Sequence, residues 1–501
     1  MVARTPGVLV ADGFSPIPSV AWIDELVVRE GAPVDETVVG ITVGPDGAVP
    51  AQLGFDRDAL TRAGFTGAVG ATLVIPTTQQ PAYVAVGSGD PAELTPDVLR
   101  DVAAAFARAS ARHARVAFEL STSGSVGTEA AAQAVAEGLV LARYRYRALK
   151  SESAEPALEA ASIVIERASS AEVKLGLDRA RATVRAAAIA RDLSNTPPGH
   201  LTATDFGRTA LELGERFGFE VELVGRDELI ALGCGGILGV NAGSSEEPVM
   251  VKLRYAGHGG ARRLAMIGKG IMYDSGGISL KPSDPMHLLM KMDMGGAGAI
   301  LGAFTALDEL GVVTETSAWL MCTDNMPSGS AYKLGDVLTA RNGTTVEVKN
   351  TDAEGRLIMM DGLALAAEEK PDAIVDIATL TGASLMALGQ RTAALFGNDA
   401  ALVERMRTAS AATGEQVWQL PLERAYRKQL DSAIADISNL GGPFAGATTA
   451  ALFLEEFVDG IPWAHVDIAG TMQSDADDSW RSAGATGFGA RLLVQLASDF
   501  S

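Results

Sequence analysis

Two carboxylates stand two residues apart in the stretch Asn-Thr-Asp-Ala-Glu-Gly-Arg-Leu at 350–357. A β-prone run over 344–349 precedes this stretch, and an Ala/Leu-rich run that favours a helix follows it. In an extended segment, side chains two positions apart point the same way, so Asp352, Glu354 and Arg356 are expected to face one site. The pattern predicts a cation site with a guanidinium beside it.

A second charged stretch, Gly-Lys-Gly-Ile-Met-Tyr-Asp-Ser-Gly-Gly-Ile-Ser-Leu-Lys, occupies 268–281. It follows an apolar, strand-like run over 264–267, and a further carboxylate, Asp293, comes shortly after it. Neither charged stretch contains histidine or cysteine, so a metal would be held here mainly by oxygen. Such donors suit two divalent ions that share bridging carboxylates better than they suit a structural zinc.

These two stretches, together with Asp-Met-Gly-Gly-Ala at 293–297, resemble the leucyl (cytosol) aminopeptidase family of two-metal metallopeptidases. The resemblance spans roughly residue 195 to the C terminus, and an eight-residue match such as 350–357 is far more specific than a pattern like GxGxxG. The other matching stretches are Asn-Met-Pro-Ser-Gly at 325–329, Gly-Asp-Val-Leu-Thr at 335–339, Ala-Thr-Leu-Thr-Gly at 378–382 and Trp-Ala-His-Val-Asp-Ile-Ala-Gly-Thr at 463–471.

The resemblance implies two divalent metal ions per subunit, Zn²⁺ or Mn²⁺ with Mg²⁺ or Co²⁺ as alternatives, and a metal-bridged water as nucleophile. The implied side-chain ligands are Lys269, Asp274, Asp293, Asp352 and Glu354, with Asp274 and Glu354 shared and the Asp352 carbonyl as a further ligand. Lys269 can bind a metal only as the neutral amine, because an ammonium has no lone pair, and two adjacent dications would lower its pKa. Spacing alone favours an ordinary ion pair for Lys269, and only the family context favours the ligand.

The same resemblance implies the catalytic roles. Lys281 would polarise the scissile carbonyl and stabilise the oxyanion, and Arg356 would hold a bicarbonate that serves as general base. A guanidinium suits a planar anion because its fork binds two oxygens at once. Taken alone, either residue is more often a partner in a surface ion pair.

The resemblance also implies a set of substrate-binding residues, namely Met290, Asn350, Thr379, Leu380 and Gly382. The Leu380 carbonyl would accept from the peptide backbone and Met290 would line an apolar pocket for the first side chain, although core packing explains Met290 nearly as well. One departure from the family stands between Lys281 and Asp293, where this chain carries one extra residue. We expect it to be absorbed near Pro285, because inside a helix it would rotate Asp293 by about 100°.

The composition restricts the partners and the compartment. The chain has 501 residues and 47% hydrophobic residues, which predicts two domains with substantial cores. Its formal net charge of −21 argues against nucleic-acid and anionic-lipid partners. Two cysteines in apolar contexts, no signal-peptide pattern and no run of eighteen uncharged apolar residues predict a reduced, cytoplasmic protein without a membrane span.

The strands and helices that carry these residues are predicted to form an α/β fold. We expect an N-terminal α/β domain at 1–170 for assembly or regulation, a connecting helix at 171–195 that the two prolines after Thr196 terminate, and a catalytic α/β domain at 196–501. The catalytic domain is predicted to hold a central, mostly parallel or mixed sheet with helices on both faces, and one of these helices is predicted over 286–310. Strands predicted over 263–268, 315–322 and 373–378 each end at charged or Thr-rich motif residues, which places the motifs at one sheet edge.

The leading hypothesis is therefore a cytoplasmic aminopeptidase that removes leucine or other apolar N-terminal residues from peptides. The family resemblance also implies a homo-hexamer. A two-metal phosphoesterase is a rival hypothesis, but such an enzyme would be expected to use histidine ligands, and the scattered histidines of this chain do not provide them. We interpret His465 as a core residue and His287 as a remote candidate for a metal contact. A binding protein whose metals are purely structural is a second rival hypothesis. The negative net charge disfavours DNA as the ligand of such a protein.

Overall fold

The computed structural model describes residues 2–4, 8–77, 80–151, 155–260 and 262–501. Within these ranges the chain forms two α/β domains, each built on a mixed β-sheet with helices packed against it. The predicted fold class is confirmed. The hydrophobic faces of the sheets pack against the apolar stripes of the helices. Each fold therefore needs a layer of helices against its sheet, because either layer alone would expose its hydrophobic side chains to water.

The first domain holds a six-stranded sheet in the order β3-β8-β7-β4-β6-β5, in which only β5 runs antiparallel to its neighbour. The central strand β4 is buried at every position, as expected for a strand covered on both faces. The described elements of this part are β1 (Val2–Arg4), β2 (Val8–Val10), α1 (Ser19–Glu25), β3 (Val27–Glu30), β4 (Val38–Val43), α2 (Arg57–Arg62), β5 (Thr72–Ile75), β6 (Ala82–Gly87), α3 (Pro96–Ala109), β7 (Arg115–Leu120), α4 (Thr128–Arg143) and β8 (Ala160–Ile165).

A single long helix, α5 (Ser170–Asn195), connects the domains. Its 26 residues span about 39 Å at 1.5 Å per residue. The helix ends where predicted, because Thr196 precedes a proline and adopts extended backbone angles. Among the described helices, α5 included, none combines the length and hydropathy that crossing a bilayer requires.

The second domain is organised by an eight-stranded sheet in the order β17-β16-β19-β15-β11-β12-β10-β9. Its elements are α6 (Ala203–Phe217), β9 (Glu220–Val224), α7 (Arg226–Leu232), α8 (Gly235–Asn241), β10 (Val249–Tyr255), β11 (Arg263–Asp274), α9 (Pro285–Leu288), α10 (Gly295–Leu307), β12 (Glu315–Asn325), β13 (Val337–Thr339), β14 (Thr345–Glu347), α11 (Glu354–Glu368), β15 (Ala373–Ala378), α12 (Gly382–Leu388), β16 (Ala393–Gly397), α13 (Ala400–Thr413), β17 (Val417–Gln419), β18 (Ile437–Ser438), α14 (Gly446–Glu455), β19 (Trp463–Asp467), β20 (Gln473–Ser474), β21 (Gly484–Ala485) and α15 (Ala490–Asp499).

The four central strands β12, β11, β15 and β19 are parallel, and antiparallel pairings begin at β10 on one side and β16 on the other. The two faces of this sheet belong to separate cores. Leu264 and Met266 of β11 pack with α5, α10 and α15, whereas Ala265 and Ile267 pack with α8, α11 and α14. The parallel centre therefore points its carboxyl ends at one edge, as the motif positions predicted.

Three local predictions were wrong. The segment 350–356 is not extended, because the chain turns at Asn350 and α11 begins at Glu354. The helix predicted over 286–310 is interrupted, since α9 is followed by the 3-10 turn Leu289–Met292 and α10 begins only at Gly295. The strand predicted over 263–268 is longer, so the motif lysine and aspartate at its end lie within β11.

A buried ion network joins the two domains. Glu137 on α4 accepts from Arg100 Nε at 2.8 Å, from Arg491 NH1 at 2.9 Å and from Thr183 Oγ1 at 2.6 Å. Burial alone would raise the pKa of Glu137, but the two guanidiniums and the hydrogen bonds lower it to about 2. Because these partners lie on α3, α5 and α15, one carboxylate connects elements from both domains.

Replacing Glu137 with alanine should destabilise the protein strongly. It would leave two almost fully buried guanidiniums without their carboxylate, which lowers the free energy of unfolding by about 3–5 kcal/mol. Equilibrium urea unfolding measures this, with Glu129→Ala as the control on the same helix, since Glu129 is half-exposed and its ion pair contributes less than about 1 kcal/mol.

The pH dependence gives a second check on Glu137. Its pKa is about 2 in the folded protein, below the ordinary glutamate pKa of 4.5, so its contribution is complete above pH 4.5 and is lost as the pH falls toward 2. Glu137→Gln should therefore show a smaller loss of stability over this interval than the wild type. Identical acid profiles for the two proteins would contradict the assignment.

Candidate metal centre

A cavity of about 270 Å³ opens where the carboxyl ends of the parallel strands meet the first turn of α11. The sequence motifs reach it from four separate segments: the end of β11, the chain before α10, the turn before α11 and the loop after β15. Ten of the twelve residues singled out from the sequence line this cavity, namely Lys269, Asp274, Lys281, Met290, Asp293, Asp352, Glu354, Thr379, Leu380 and Gly382.

Lys269 lies at the buried end of the cavity. Its Nζ donates to Asp293 Oδ1 and to the Thr379 carbonyl, both at 2.8 Å, and lies 2.9 Å from Glu354 Oε1. Burial opposes its charge, but the surrounding carboxylates outweigh burial and raise the pKa of Lys269 above its ordinary value. As placed, the amine is therefore a charged bridge between carboxylates, the ion pair that spacing alone suggests.

Lys281 lies nearer the mouth of the cavity. Its Nζ is 2.9 Å from Asp274 Oδ2 and 2.6 Å from Asp352 Oδ1, and one fifth of its side chain is exposed. Burial opposes its charge as well, and the nearby carboxylates, Asp274 foremost, raise the pKa of Lys281. Lys281 is thus a cation held in place by two acids while still facing the open part of the cavity.

The carboxylates outnumber the ammonium groups, four to two, in a largely buried space. Burial and the neighbouring charge of Asp274 raise the pKa of Glu354 to about 8, and burial raises the pKa of Asp293 to about 6. Glu354 Oε2 is buried and has no hydrogen-bond partner among the described residues. Buried carboxylates that are not paired with cations are energetically unfavourable, so additional positive charge would stabilise this site.

The geometry of the acids fits divalent ions. Asp274, Asp352 and Glu354 each offer an oxygen, and these atoms all lie within 4.8 Å of one another. Oxygen donors at this spacing, with the unpartnered oxygen of Glu354 among them, suit hard or borderline divalent cations. The residues present therefore fit the metal ions that the sequence pattern predicts.

Two glycines allow the motif segments to approach so closely. Gly276, with φ +85°, lies just after β11, where a Cβ would come within 2.8 Å of Asp352 Oδ1. Gly355 follows the first residue of α11, and a Cβ there would lie 2.6 Å from Lys269 Cε. Only a residue without a side chain permits the left-handed turn at the first position and the close contact at the second.

Asn325, at the end of β12, holds one of the acids in place. Its Nδ2 donates to Asp274 Oδ1 at 2.8 Å and to the Thr351 carbonyl at 2.9 Å, and the side chain is fully buried. Asn325 was not among the functional residues predicted from the sequence. Its position at a predicted strand end, within the matching stretch 325–329, was the signal that could have revealed it.

The loop after β15 is fixed by a second residue that the sequence analysis did not single out. Asp467 accepts from the backbone N–H of Leu380 at 3.1 Å and from Thr381 Oγ1 at 2.6 Å. Thr379 Oγ1 in turn donates to Asp293 Oδ1 at 2.6 Å. The predicted substrate loop is therefore tied both to β19 and to one of the predicted metal ligands.

Arg356 and Asn350 lie outside the cavity wall. Arg356 is 6% exposed, and its Nε and NH1 find no hydrogen-bond partner among the described residues. Burial lowers the pKa of Arg356 to about 10. Asn350 instead shapes the turn, since its Oδ1 accepts from the Asp352 N–H at 2.8 Å, and its predicted contact with substrate stays a prediction.

Two histidines near these elements have local partners. His465 is fully buried in β19, and its Nδ1 lies 2.5 Å from Asp376 Oδ1, which confirms its interpretation as a core residue. His287 on α9 stacks on Tyr273 with 5.9 Å between ring centroids, and it does not line the cavity. Neither position suggests a metal contact in the arrangement described.

Apolar side chains form the rest of the cavity wall. Met290 lines it, as predicted, together with residues that the sequence analysis did not single out, namely Met286, Leu289, Leu385, Ala469 and Met472. Gln473 also lines the wall and was likewise missed. The apolar members come from α9, the 3-10 turn after it, α12 and the chain after β19, so only the folded structure brings them together.

Comparisons with known proteins agree with this architecture. Residues 188–494 match the cytosol aminopeptidase family, catalytic domain, and residues 56–153 match the N-terminal domain of the same family. A probable cytosol aminopeptidase of Alkaliphilus metalliredigens is 40% identical over 457 residues, covering 89% of this chain and 91% of that protein. One of Streptomyces coelicolor is 39% identical over 502 residues, covering 93% and 96%.

A solved structure shows the same fold. The bottromycin maturation enzyme BotP in complex with Mn is 36% identical to this chain and superimposes with a TM-score of 0.84. The superposition covers 93% of this chain and 99% of BotP. Similarity therefore extends through both domains and includes a relative whose structure contains manganese.

Asn325→Ala should weaken metal binding without removing a predicted ligand. Loss of the amide that orients Asp274 is expected to reduce affinity for Mn²⁺ roughly 10–100-fold, as for other groups that position a ligand. Isothermal titration with Mn²⁺ measures the change. Asn342→Ala, which removes an exposed amide that caps a remote turn, is the control. Unchanged affinity in Asn325→Ala would contradict the positioning role.

Proposed function

Because this chain belongs to the cytosol aminopeptidase family and is a peptide-bond hydrolase, we propose that it removes leucine or other apolar residues from the N termini of peptides. One observation carries this proposal beyond family membership. Four acids and two lysines from separate segments meet beside a wall of apolar side chains in one cavity. A cavity of about 270 Å³ accommodates a single side chain with the first peptide bond next to the charged groups.

The family is metal-dependent, and we propose two divalent ions per subunit, Zn²⁺ or Mn²⁺, with Mg²⁺ or Co²⁺ possible. The residues that would hold them are Lys269, Asp274, Asp293, Asp352 and Glu354. When bound, such ions supply Lewis-acid polarisation and lower the pKa of water toward neutrality. The buried, unpartnered oxygen of Glu354 supports this assignment.

Lys281 is proposed to act on the scissile carbonyl. It is held by Asp274 and Asp352, its pKa is raised, and it faces the open part of the cavity, so it stays positively charged at neutral pH. A fixed ammonium stabilises the negative charge that develops on the carbonyl oxygen as the carbon becomes tetrahedral. The carboxylates that pair with Lys281 set its position before the substrate arrives.

Arg356 is proposed to hold a bicarbonate ion, which would supply a general base when bound. The supporting observation is a buried guanidinium with two unpartnered nitrogens, a costly arrangement that a planar anion would relieve through two parallel hydrogen bonds. Burial lowers the pKa of Arg356 only to about 10, so the group remains a cation at neutral pH.

The substrate is proposed to lie along the loop after β15. Thr379 and Gly382 would border it, with the Leu380 carbonyl accepting from the peptide N–H, and Met290 would contact the first side chain. Met286, Leu385 and Met472 extend this apolar wall, which supports the preference for leucine and similar residues.

We also propose that the protein is cytoplasmic and assembles as a homo-hexamer, in keeping with its family. The proposed division is an assembly or regulatory domain at 1–170, the connecting helix at 171–195 and the catalytic domain at 196–501. The separate cores on either side of α5 support the division. Sedimentation of the purified protein tests the assembly.

Glu354→Ala and Asp274→Ala should each abolish turnover and lower the metal content. Both residues would hold the ions, so losing either carboxylate would remove a ligand. Hydrolysis of leucine p-nitroanilide and elemental analysis after dialysis against Mn²⁺ are the measurements. Glu368→Ala, at the far end of α11, is the control and should retain both activity and metal. Full activity in either ligand variant would refute the proposed centre.

Lys281→Ala should separate catalysis from metal binding. We expect kcat for leucine p-nitroanilide to fall roughly 10²–10³-fold, the usual effect of removing one oxyanion-stabilising group. The metal content measured by elemental analysis should stay at the wild-type level. Lys333→Ala removes an exposed lysine outside the cavity and serves as the control. A folded Lys281→Ala protein that has lost its metals would show that Lys281 organises the acids instead.

A further inference from the structure

The first domain contains a second cavity, of about 290 Å³, whose wall carries cations instead of acids. Three arginines, Arg143, Arg145 and Arg147, line it together with Trp22 of α1. This cavity shares no lining residue with the metal centre. The whole chain has a formal net charge of −21, so three guanidiniums around one cavity concentrate positive charge against the overall trend.

The sequence Arg-Tyr-Arg-Tyr-Arg at 143–147 places these arginines on one side of the chain. α4 ends where this sequence begins, and the backbone of Tyr144 is extended, with ψ 136°. In an extended segment side chains two positions apart point the same way, so the arginines face the cavity and the tyrosines face the other way. Tyr144 Oη donates to Asp192 Oδ1 at 2.8 Å, and Tyr146 Oη lies 3.0 Å from Thr196 Oγ1. The end of α5 therefore fixes the segment that carries the arginines.

Acidic side chains balance only part of this positive charge. Arg145 NH2 lies 2.8 Å from Asp477 Oδ2 and 3.7 Å from Glu155 Oε2. No carboxylate in the described part of the chain lies within 4.0 Å of the guanidinium of Arg143 or Arg147. Burial and the charge of Arg145 lower the pKa of Arg147, and burial lowers the pKa of Arg143 to about 10. Because arginine stays protonated in proteins, three like charges remain at one cavity and repel one another.

Arg143 is held in place by backbone carbonyls. Its NH1 donates to the His113 carbonyl at 3.0 Å, and its NH2 donates to the carbonyls of Ala111 and Pro156 at 3.0 and 3.2 Å. Only 7% of Arg143 is exposed. A carbonyl carries no net charge, so these contacts orient the guanidinium without neutralising it. The positive charge is therefore fixed at the cavity wall before any anion arrives.

A small phosphate monoester has the charge and the size that suit this cavity. Its phosphate group carries about −1.5 to −2 charges at neutral pH, which offsets more of the repulsion than a carboxylate would. A planar guanidinium binds two phosphate oxygens at once, and arginine is the side chain best suited to this recognition. The volume of the cavity admits a small molecule, and Trp22 offers an apolar surface for the organic part.

We propose that this cavity of the first domain is a binding site for a small phosphate monoester. Arg147 donates hydrogen bonds to the phosphate oxygens. Arg143 and Arg145 contribute mainly charge, because their outer nitrogens already donate to protein oxygens. The organic part of the ligand lies against Trp22. The site is separate from the proposed metal centre, so the inference does not depend on the aminopeptidase function.

Isothermal titration of the Mn²⁺-loaded protein with phenyl phosphate tests the site, because this probe joins a phosphate group to a single ring. Arg147→Gln should weaken binding roughly 10–100-fold, since it removes charge-assisted hydrogen bonds. Arg112→Gln is the matched control: Arg112 is exposed, belongs to the same domain and lies outside the cavity, so the affinity should not change. Benzenesulfonate, which has a tetrahedral head with one charge fewer, should bind about tenfold more weakly than phenyl phosphate.

A second comparison separates this site from the metal centre, where a phosphate can also bind metal ions. A folded Asp274→Ala protein, which is expected to lose its metals, should bind phenyl phosphate as tightly as the wild type. Arg145→Gln should also weaken binding, and it replaces Arg147→Gln if circular dichroism shows that the latter does not fold. The inference is overturned if the arginine variants bind as the wild type does, if Asp274→Ala loses binding, or if the wild type gives no binding heat at millimolar probe. None of these results bears on the hydrolysis of leucine p-nitroanilide, which tests the proposed function.

Discussion

The excess of buried negative charge in one cavity is the constraint on which the rest of the site depends. Acids that are far apart in the sequence repel one another strongly in a space with little water, and burial raises the pKa of Glu354 and Asp293. Lys269 and Lys281 offset part of that repulsion. The parallel strands, the turn at Asn350 and the closely packed glycines are needed because they hold these charges together against that repulsion.

The gathering of the acids and lysines in one cavity could be predicted from the sequence, because these residues lie within short, specific stretches. The convergence of the strand ends followed from the rule that parallel strands place their carboxyl ends at one edge. The local geometry could not be predicted as well. Two-residue spacing in 352–356 suggested an extended segment, but the Asn350 side chain turns the chain and Glu354 begins a helix. Spacing carries no information about such a turn.

Other features depended on tertiary contacts that no local pattern reveals. No proline or other strong helix breaker stands between α9 and α10, so the sequence predicted one helix over 286–310 where the structure has two. Asn325 acquires its position through a hydrogen bond to Asp274, which lies 51 residues earlier in the chain.

The long helix α5 has a consequence for how the molecule can be divided. It packs against α4 of the first domain and against α10 of the second, and most of its residues over the last four turns are buried. A protease cut or a gene truncation before Ser170 would expose the side that α4 covers, and one after Asn195 would strip α10 of its neighbour. Neither half would then fold as an independent, soluble unit. An exchange of the first domain during evolution would therefore have to retain the surface of α5 that packs against both domains.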